Sequence, residues 1–383
     1  MGWFYMLKKV CVKGGDMYNR QKLYNDLRFF WLIVTLLLGV GILFIYSASC
    51  IFAAEKFGSS FYFVKKQLLG LLAAGMLFTV CALLPLQFLK KYSSLLFLAA
   101  LLLTALTLVP GLSRTVHGSS RWLSIAGFAM QPSEFLKVTL FLYVAYLLDK
   151  KQNIPFSLLR SYLPLLCIIG ITTLVLLMQP DFGLVVTLCL TFFMVLFISQ
   201  LYTGYIVGTL ALFIPVGLFL IYLKPYRVKR LFTYLNPWHD PQGAGFQIIQ
   251  SLIAIGTGGV SGVGLSQSKQ KFFYLPMQHT DFIFSIIAEE TGFVGSFILI
   301  FLLILFLYVG LRIAWCLQNF FSFLLTVSFV FLLSLQSLIN IGVATGILPT
   351  KGIGLPFVSY GVTCLLSSMA MIGLITNCVM EEI

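Results

Sequence analysis

Acidic side chains are scarce in this chain of 383 residues, which holds 12 Asp and Glu against 25 Lys and Arg. Only 10% of the residues are charged, whereas 60% are hydrophobic, and the mean hydropathy is +1.00. A soluble globular domain carries roughly 25% charged residues, so the composition excludes that class. The sequence therefore predicts an integral membrane protein.

Residue patterns that bind metals, nucleotides or nucleic acids are also missing. Seven of the eight cysteines lie within or beside apolar runs, and no CxxC or Cys/His spacing occurs, which excludes a disulfide framework and a zinc site. The Gly-rich stretch at 256–264 lacks the Lys-Ser/Thr ending of a nucleotide-binding P-loop. The basic residues are spread between apolar runs rather than gathered on one face, so no nucleic-acid partner is predicted.

Long apolar runs dominate what is present. They show no alternation of polar and apolar residues, and a backbone that crosses lipid must satisfy its own hydrogen bonds, so each run is predicted to be a helix. The fold class is therefore an all-α polytopic membrane protein with about ten transmembrane helices. The runs are about 27–50, 61–84, 92–110, 133–149, 161–178, 183–199, 203–223, 282–310, 320–344 and 355–378.

An even number of spans places both termini on one side of the membrane. The segments on the side of the N-terminus hold twelve Lys and Arg and the short segments on the other side hold six, which favours a cytoplasmic N-terminus. The predicted organisation is a cytoplasmic segment 1–26, a membrane domain 27–378 and a cytoplasmic tail 379–383. The stretch 224–281 becomes a large extracytoplasmic loop between spans 7 and 8.

This large loop is basic, aromatic and rich in Gly. Arg227 and Arg230, spaced i, i+3, would present two guanidinium forks to one phosphate group of a partly lipid ligand. A solvated basic loop is the alternative explanation, and charge alone does not separate the two. The apolar patch 248–255 between glycines predicts a partly buried or re-entrant helix ended by Gly turns.

Asp281 lies where the large loop re-enters the membrane. An acid in the first turn of a helix is explained by the helix dipole alone. An acid at a boundary between water and lipid is equally a candidate general base, because partial desolvation raises a carboxyl pKa toward working pH. Both interpretations stay open from these residues.

Five further charges lie in or beside predicted spans: Glu134, Lys137, Asp181, Glu289 and Glu290. Intramembrane charges are costly, so each is a functional-site hypothesis. Structural explanations are equally available: Glu134 and Lys137 at i, i+3 form a plausible ion pair, and Asp181 would cap the following helix.

Two residues of the outer segments complete the candidate site. Lys351 faces outward in the predicted topology, where an interfacial anchor is the structural explanation, and His279 is a candidate substrate-binding residue beside Asp281. No protein-only metal site is predicted, since the three histidines lack ligand spacing. An oxygen-ligand site for Mg²⁺ or Mn²⁺, organised by Asp281 and a diphosphate, is left open.

Several long motifs resemble the SEDS family (shape, elongation, division and sporulation), whose members include RodA, FtsW and SpoVE. The likeness runs from the first span almost to the C-terminus, and the NPW and SxQK pieces resemble the division-type members. The matching segments are RWLSIAGFAMQPSEFLKV, QPDFG, PYRVKR, YLNPWHDPQGAGFQIIQS, GLSQSKQKFFYLP, HTDFIF, IIAEETGFVG and NIGVATGILPTKGIGLPFVSYG.

The resemblance implies an inverting glycosyltransferase of the bacterial inner membrane that polymerises lipid II during septal wall synthesis and cell division. It implies Asp281 as the essential acid, undecaprenyl pyrophosphate as product, and a class B penicillin-binding transpeptidase and divisome proteins as partners. Arg227, Arg230 and Lys351 would offset charge on the leaving group.

Two other functions are weighed against this one. A lipid II flippase would use the buried charges as a translocation path, although no inverted repeat or paired broken helices are recognised in the sequence. A non-catalytic scaffold would only recruit the transpeptidase. The chain also departs from the family pattern at Ser266, Gln278 and Val362, and the missing acid at 278 weakens a metal-ligand argument.

Overall fold

The structure is a computed structural model. It describes residues 16–109, 113–116, 119–125, 128–151, 158, 162–199, 203–222, 225–243, 245–272 and 275–383. Most of the predicted N-terminal segment, residues 1–15, lies outside the described residues.

Helices make up most of the described chain, and one small sheet lies between the third and fourth helices. The elements are α1 (Asp16–Phe57), α2 (Tyr62–Leu83), α3 (Leu86–Leu106), β1 (Ser113–Val116), β2 (Ser119–Ile125), β3 (Phe128–Met130), α4 (Pro132–Lys150), α5 (Leu163–Met178), α6 (Phe182–Ile198), α7 (Thr203–Tyr222), α8 (Pro225–Leu235), α9 (Phe246–Gly258), α10 (Ile283–Cys316), α11 (Phe320–Ala344) and α12 (Val362–Met380).

Each of the ten predicted runs overlaps one helix, namely α1 to α7 and α10 to α12. The short break at 179–181 does separate two helices, as predicted. Among the described residues, six helices are long and apolar enough to cross a membrane: α1, α2, α3, α10, α11 and α12. The protein is therefore a multi-pass membrane protein of helical class, while the number of spans remains a prediction.

The two C-terminal spans form the centre of the bundle. In α11 and α12, 78% of the most apolar stretch is buried inside the protein, against 17–39% in the other four long spans. α12 packs along α2, and α11 packs against α10 and α4. The polar side chains that α11 and α12 carry are thus mostly held away from lipid.

A three-stranded antiparallel sheet in the order β1-β2-β3 corrects the purely helical expectation. Arg114 pairs with Trp122 across β1 and β2, and Leu123 pairs with Met130 across β2 and β3. The strands are only three to seven residues long, so they give no periodic signal comparable to the apolar runs. The hint in the sequence is the pair of glycines at 118 and 127, which separate the three short segments that form the strands.

The last span begins later than predicted. The apolar run starts at residue 355, but α12 begins at Val362. Pro356 lacks an amide donor and disfavours a helical residue before it. Ser359 holds the non-helical chain instead: its Oγ accepts from Leu355 N at 2.8 Å and donates to Thr280 O at 2.6 Å. We call residues 345–361 the return segment.

The helix α10 is interrupted at Gly292, whose φ is +67° and ψ −160°. Only glycine fits there, because a Cβ would lie 2.3 Å from the amide nitrogen of Gly262. The loop after α9 fills the interruption. Four backbone bonds do so: Phe293 N to Gly259 O, Val294 N to Val260 O, Val263 N to Glu289 O and Gly264 N to Glu290 O.

The helix predicted inside the large loop is confirmed as α9. It buries Ile248, Ile249 and Ala254 and ends at Gly259, whose φ is +54°. An amphipathic helix, α8, precedes it and carries PYRVKR. The large loop is thus a folded unit that lies between α7 and α10.

Candidate active site

Asp281 is half-buried at the end of the large loop, two residues before α10 begins. Its backbone carbonyl accepts a hydrogen bond from Asn340 Nδ2 at 2.8 Å, and the same amide group donates to Ile353 O at 2.7 Å. Asn340 is buried near the end of α11. One side-chain amide therefore fixes Asp281 against the return segment.

The Asp281 carboxylate lies against the backbone of the return segment. A Cβ added to Gly352 would lie 3.0 Å from Asp281 Oδ2, which is tighter than ordinary van der Waals contact. The glycine at 352 therefore lets the chain approach the carboxylate closely. Lys351 is the residue immediately before this glycine.

The Lys351 side chain extends from this point toward the start of α6. Its Nζ lies 5.2 Å from the centroid of the Phe182 ring, and its Cδ lies 3.4 Å from the position of a Cβ on Gly183. Burial lowers the pKa of Lys351, and the nearby Asp181 carboxylate opposes that shift. The ammonium group is thus a partly desolvated cation, which interacts with anions more strongly than one in water.

Asp181 has the structural role that the sequence suggested and a second one. Its Oδ1 accepts from Leu184 N at 3.2 Å and so caps α6. Its other carboxylate oxygen lies 3.5 Å from Arg121 Nη1. Burial raises the pKa of Asp181, and Arg121 is the largest of the opposing influences. Asp181 therefore sits between two cations, Arg121 and Lys351.

Arg121 was not predicted as a site residue. It lies on β2, donates from Nη2 to Pro180 O at 2.6 Å and from Nε to Gln179 O at 3.4 Å. The sheet thereby rests on the break between α5 and α6. The sequence could have indicated Arg121, because it is the first residue of RWLSIAGFAMQPSEFLKV, one of the segments that resemble the family.

The helix α8 reaches the return segment from the other side. Arg230 Nη1 donates to Thr350 O at 3.5 Å, and Tyr234 Oη donates to Ile347 O at 2.7 Å. Arg227 lies one turn earlier on the same helix, and its side chain is outside the described residues. Arg230 thus contacts the backbone of the return segment one residue before Lys351 and two residues before Gly352.

His279 lies among aromatic rings rather than among charges. Its ring centroid is 4.5 Å from that of Phe63, 5.7 Å from that of Tyr360 and 5.9 Å from that of Phe52. Burial lowers the pKa of His279 to about 4, so the imidazole is neutral near pH 7. A substrate would meet it as a hydrogen-bonding ring, not as a cation.

Glu134 and Lys137 form the predicted ion pair. Lys137 Nζ lies 2.7 Å from Glu134 Oε2, and the Lys137 side chain is fully buried. Lys137 also donates to Gln336 Oε1 at 3.3 Å, and Ser367 Oγ donates to Glu134 Oε2 at 2.8 Å. The pair connects α4 with α11 and α12, and the negative charge of Glu134 also acts on Asp181.

Glu289 and Glu290 point into the large loop rather than toward the Asp281 carboxylate. Glu289 accepts from Lys269 N at 2.8 Å and from Ser268 Oγ. Glu290 accepts from Ser47 Oγ at 2.6 and 2.7 Å and lies 3.4 Å from Lys271 Nζ. These carboxylates fasten the loop to α10.

The donor set at Asp281 can be compared with what a divalent cation requires. Within the described part of the chain, no three His, Cys, Asp or Glu side chains converge. Mg²⁺ is commonly held by one or two carboxylates together with phosphate oxygens and water. Asp281 fits such a cation only if a diphosphate supplies further oxygens.

The three departures from the family pattern have local explanations. Ser266 adopts φ +62°, a conformation that glycine occupies more easily. Gln278 is buried and donates from Nε2 to Ala48 O at 2.7 Å and to Lys271 O at 3.2 Å. Val362 packs against Gly70: a Cβ added to Gly70 would lie 3.0 Å from both methyl groups of Val362.

Comparisons with known proteins give one consistent result. The family FTSW_RODA_SPOVE, described as cell cycle protein, matches residues 27–382. The chain is 40% identical over 341 residues to "Probable peptidoglycan glycosyltransferase FtsW" of Geobacter sp. (strain M18), covering 88% of this chain and 92% of the relative. It is 39% identical over 350 residues to "Stage V sporulation protein E" of Bacillus subtilis (strain 168), covering 90% and 94%.

Solved structures agree with these relatives. One chain, from a structure described as "Structural coordination of polymerization and crosslinking by a peptidoglycan synthase complex", superposes with a TM-score of 0.76 at 29% identity, covering 92% of this chain and 97% of that one. The Rod shape determining protein RodA of Thermus thermophilus superposes with a TM-score of 0.69 at 25% identity, covering 92% and 96%. The chain therefore belongs to the FtsW/RodA/SpoVE family of cell cycle proteins.

Proposed function

We propose that this protein is a peptidoglycan glycosyltransferase that polymerises lipid II into β-1,4-linked glycan strands, with Asp281 as general base. The observation that carries the proposal is that three consecutive residues of the return segment contact Arg230, supply Lys351 and contact the Asp281 carboxylate. Asp281 Oδ2 lies against Gly352, Lys351 is the neighbouring residue, and Arg230 contacts Thr350 O. The relatives' names agree with this chemistry.

In the proposed reaction, Asp281 takes the proton from the 4-hydroxyl of the terminal GlcNAc of the acceptor lipid II. The oxygen forms a bond to the anomeric carbon of the lipid-linked donor chain, and the bond from that carbon to the diphosphate oxygen breaks. The bonding electrons leave with undecaprenyl pyrophosphate, and the attack inverts the anomeric centre. A positioned base contributes roughly 10²- to 10⁴-fold to such a rate.

The cations have the second role. Lys351 and Arg230, with Arg227 on the same helix, would bind the diphosphate and stabilise the negative charge that develops as it leaves. A preorganised donor of this kind is typically worth about 3 to 4 kcal/mol of transition-state stabilisation. If a divalent cation is bound with the diphosphate, Asp281 would be its protein ligand, and the metal would add to the same charge stabilisation.

The proposed setting is the bacterial inner membrane, with both termini cytoplasmic and the Asp281 face extracytoplasmic. The charge asymmetry of the short segments supports this orientation. The proposed partners are a class B penicillin-binding transpeptidase and divisome proteins, because a similar chain occurs in a peptidoglycan synthase complex and several relatives carry the name FtsW. Septal wall synthesis is the proposed process.

The test is polymerisation of fluorescent lipid II by the purified protein in nanodiscs, with and without a class B partner. We expect Asp281→Asn to abolish glycan strands while leaving thermal unfolding unchanged. Glu55→Gln, which changes another acid exposed at the end of α1, is the matched control and should polymerise normally. Normal polymerisation by Asp281→Asn would contradict the mechanism.

The same experiment separates the alternatives. A flippase would move lipid II across the bilayer without forming polymer, and a scaffold would do neither. Among the described residues, the interruption of α10 at Gly292 resembles a transporter's broken helix. Four of the backbone groups it frees are bonded by the loop 259–264, so they are not available to a transported ion, and the flippase is not favoured.

A further inference from the structure

The segment that carries Asp281 is fastened to α10 at a point far from Asp281 itself. We call residues 259–281 the strap; all but 273–274 are described. Its first part fills the interruption of α10 at Gly292 through the four backbone bonds given above. Its last residue is Asp281. The first part of the strap therefore contacts α10 at the interruption, and its last residue lies two residues before the start of the same helix.

Two buried carboxylates just before the interruption hold the middle of the strap. Glu290 is paired with Lys271 at 3.4 Å, and the two side chains are 0% and 2% exposed. Ser47 of α1 donates to both oxygens of Glu290, and Lys271 Nζ donates to Ser266 O at 2.7 Å. A buried ion without its partner is strongly destabilising. Placements of the strap that separate Lys271 from Glu290 are therefore disfavoured.

Lys271 also contacts the last part of the strap. Its backbone carbonyl accepts from Gln278 Nε2 at 3.2 Å, and the same amide group donates to Ala48 O at 2.7 Å. Gln278 is three residues before Asp281. A chain of contacts thus runs from Glu290 through Lys271 to Gln278, and the last three residues of the strap lead from Gln278 to Asp281.

We propose that the Lys271–Glu290 pair is a positioning device that sets the placement of the Asp281 carboxylate. This inference rests on the proposed function of Asp281. Neither member of the pair touches the reacting atoms in this arrangement; each acts through the strap. The competing explanation is that Asn340, Ser359 and Tyr360, which bond the carbonyls of Asp281, Thr280 and His279, fix Asp281 without the strap.

The test compares Glu290→Gln, Lys271→Met and the double variant in nanodiscs, each normalised to its folded fraction. A displacement near 1 Å can lower a rate by about 10²-fold, so we expect each single variant to lower kcat about 10- to 100-fold while KM changes less than about twofold. Lys269→Met removes the same charge from an exposed position of the strap and should leave kcat unchanged. Lys271→Arg should retain most of kcat.

The double variant separates positioning from stability. Removal of both charges leaves no unpaired buried ion, so the unfolding temperature should rise back toward that of the unchanged protein. We expect kcat to stay low, because the strap is no longer held. Hydrogen exchange should be faster in the 266–281 amides of the double variant and unchanged in Lys269→Met.

Recovery of kcat together with the unfolding temperature in the double variant would overturn the proposal, as would a loosened strap with normal kcat. The two proposals fail in distinguishable ways. Full activity of Asp281→Asn would contradict the proposed function, whereas loss of activity in Asp281→Asn with normal kcat in the pair variants would contradict only this inference.

Discussion

His279 combines partial burial, aromatic neighbours and a depressed pKa. Its Nδ1 is buried and has no hydrogen-bond partner among the described residues, and its pKa is lowered to about 4 from an ordinary 6.5. The folded protein therefore holds a neutral imidazole, while the unfolded chain binds a proton below about pH 6.5. Stability from this residue is fully present above pH 6.5 and is lost as the pH falls from 6.5 toward 4.

The prediction is a loss of thermal stability across that window. This difference between the pKa of His279 in the folded and unfolded protein corresponds to about 3 kcal/mol of folding free energy at most. In His279→Phe, which keeps a ring of similar shape but cannot be protonated, the decline between pH 6.5 and 4 should be smaller. His239→Gln alters an exposed histidine and should show the decline of the unchanged protein. Identical pH profiles for His279→Phe and the unchanged protein would contradict the assignment.

Residues whose partners are near in sequence were predictable, and those with distant partners were not. The Glu134–Lys137 pair and the cap at Asp181 follow from spacings of three residues. The contact of Gly352 with Asp281 and that of Arg121 with Asp181 join residues about 70 and 60 positions apart. Spacing on one helix gives no information about such pairs, so only the resemblance placed Asp281 and Lys351 in one site.

The interruption of α10 is not evident from the amino-acid sequence of the helix. IIAEETGFVGSFILIF reads as one apolar helix with two acids, yet Gly292 lies at φ +67° and the loop 259–264 replaces the missing helical bonds. The helical pattern continues on both sides, so periodicity does not reveal the break. The signal for the break is indirect: residues 256–264 contain five glycines, and they precede a helix that contains Gly292.

We predict that Gly292→Ala destabilises the protein by at least about 2 kcal/mol, because the left-handed conformation is unfavourable for a residue with a Cβ. The added atom would also lie 2.3 Å from Gly262 N. Gly39→Ala in α1 is the control, since nothing lies within 4 Å of a Cβ there, and alanine favours helix. Thermal unfolding in detergent measures both. Equal stability of the two variants would show that the interruption is not required.

At the level of elements, apolar length was the reliable signal. The runs at 320–344 and 203–223 match their helices to within one residue. The strands β1 to β3 and the delayed start of α12 were missed, because short polar-interrupted segments are shaped by contacts with other parts of the chain. The Ser359 bond to Thr280 O is one such contact.

At the scale of the whole molecule, the Lys137–Glu134 pair connects three helices of the bundle. It joins α4 to α11 through Gln336 and to α12 through Ser367, and α11 and α12 are the most enclosed long spans. A buried charge without its partner typically costs about 3 to 5 kcal/mol, whereas replacement of both charges is often neutral. The pair can therefore be tested as a unit.

We predict that Lys137→Met lowers the unfolding temperature strongly and that addition of Glu134→Gln restores most of it. Thermal unfolding of the single and double variants measures the coupling. Polymerisation by the double variant then decides the question that the sequence left open. If the pair only holds the bundle together, activity returns with stability; if Glu134 or Lys137 is needed for the reaction, activity stays low in a stable protein.

The first helix is anchored near both ends of its apolar run. Arg312 Nε donates to Asp26 at 2.7 Å, and Ser47 and Ala48 hold Glu290 and Gln278 about 30 Å further along the same rod. Because Arg312 and Glu290 both lie on α10, the first helix is fixed to α10 at two heights and cannot slide along it. The apolar stretches of the two helices therefore keep one relative height, and a thicker or thinner bilayer has to deform around them or tilt the whole protein.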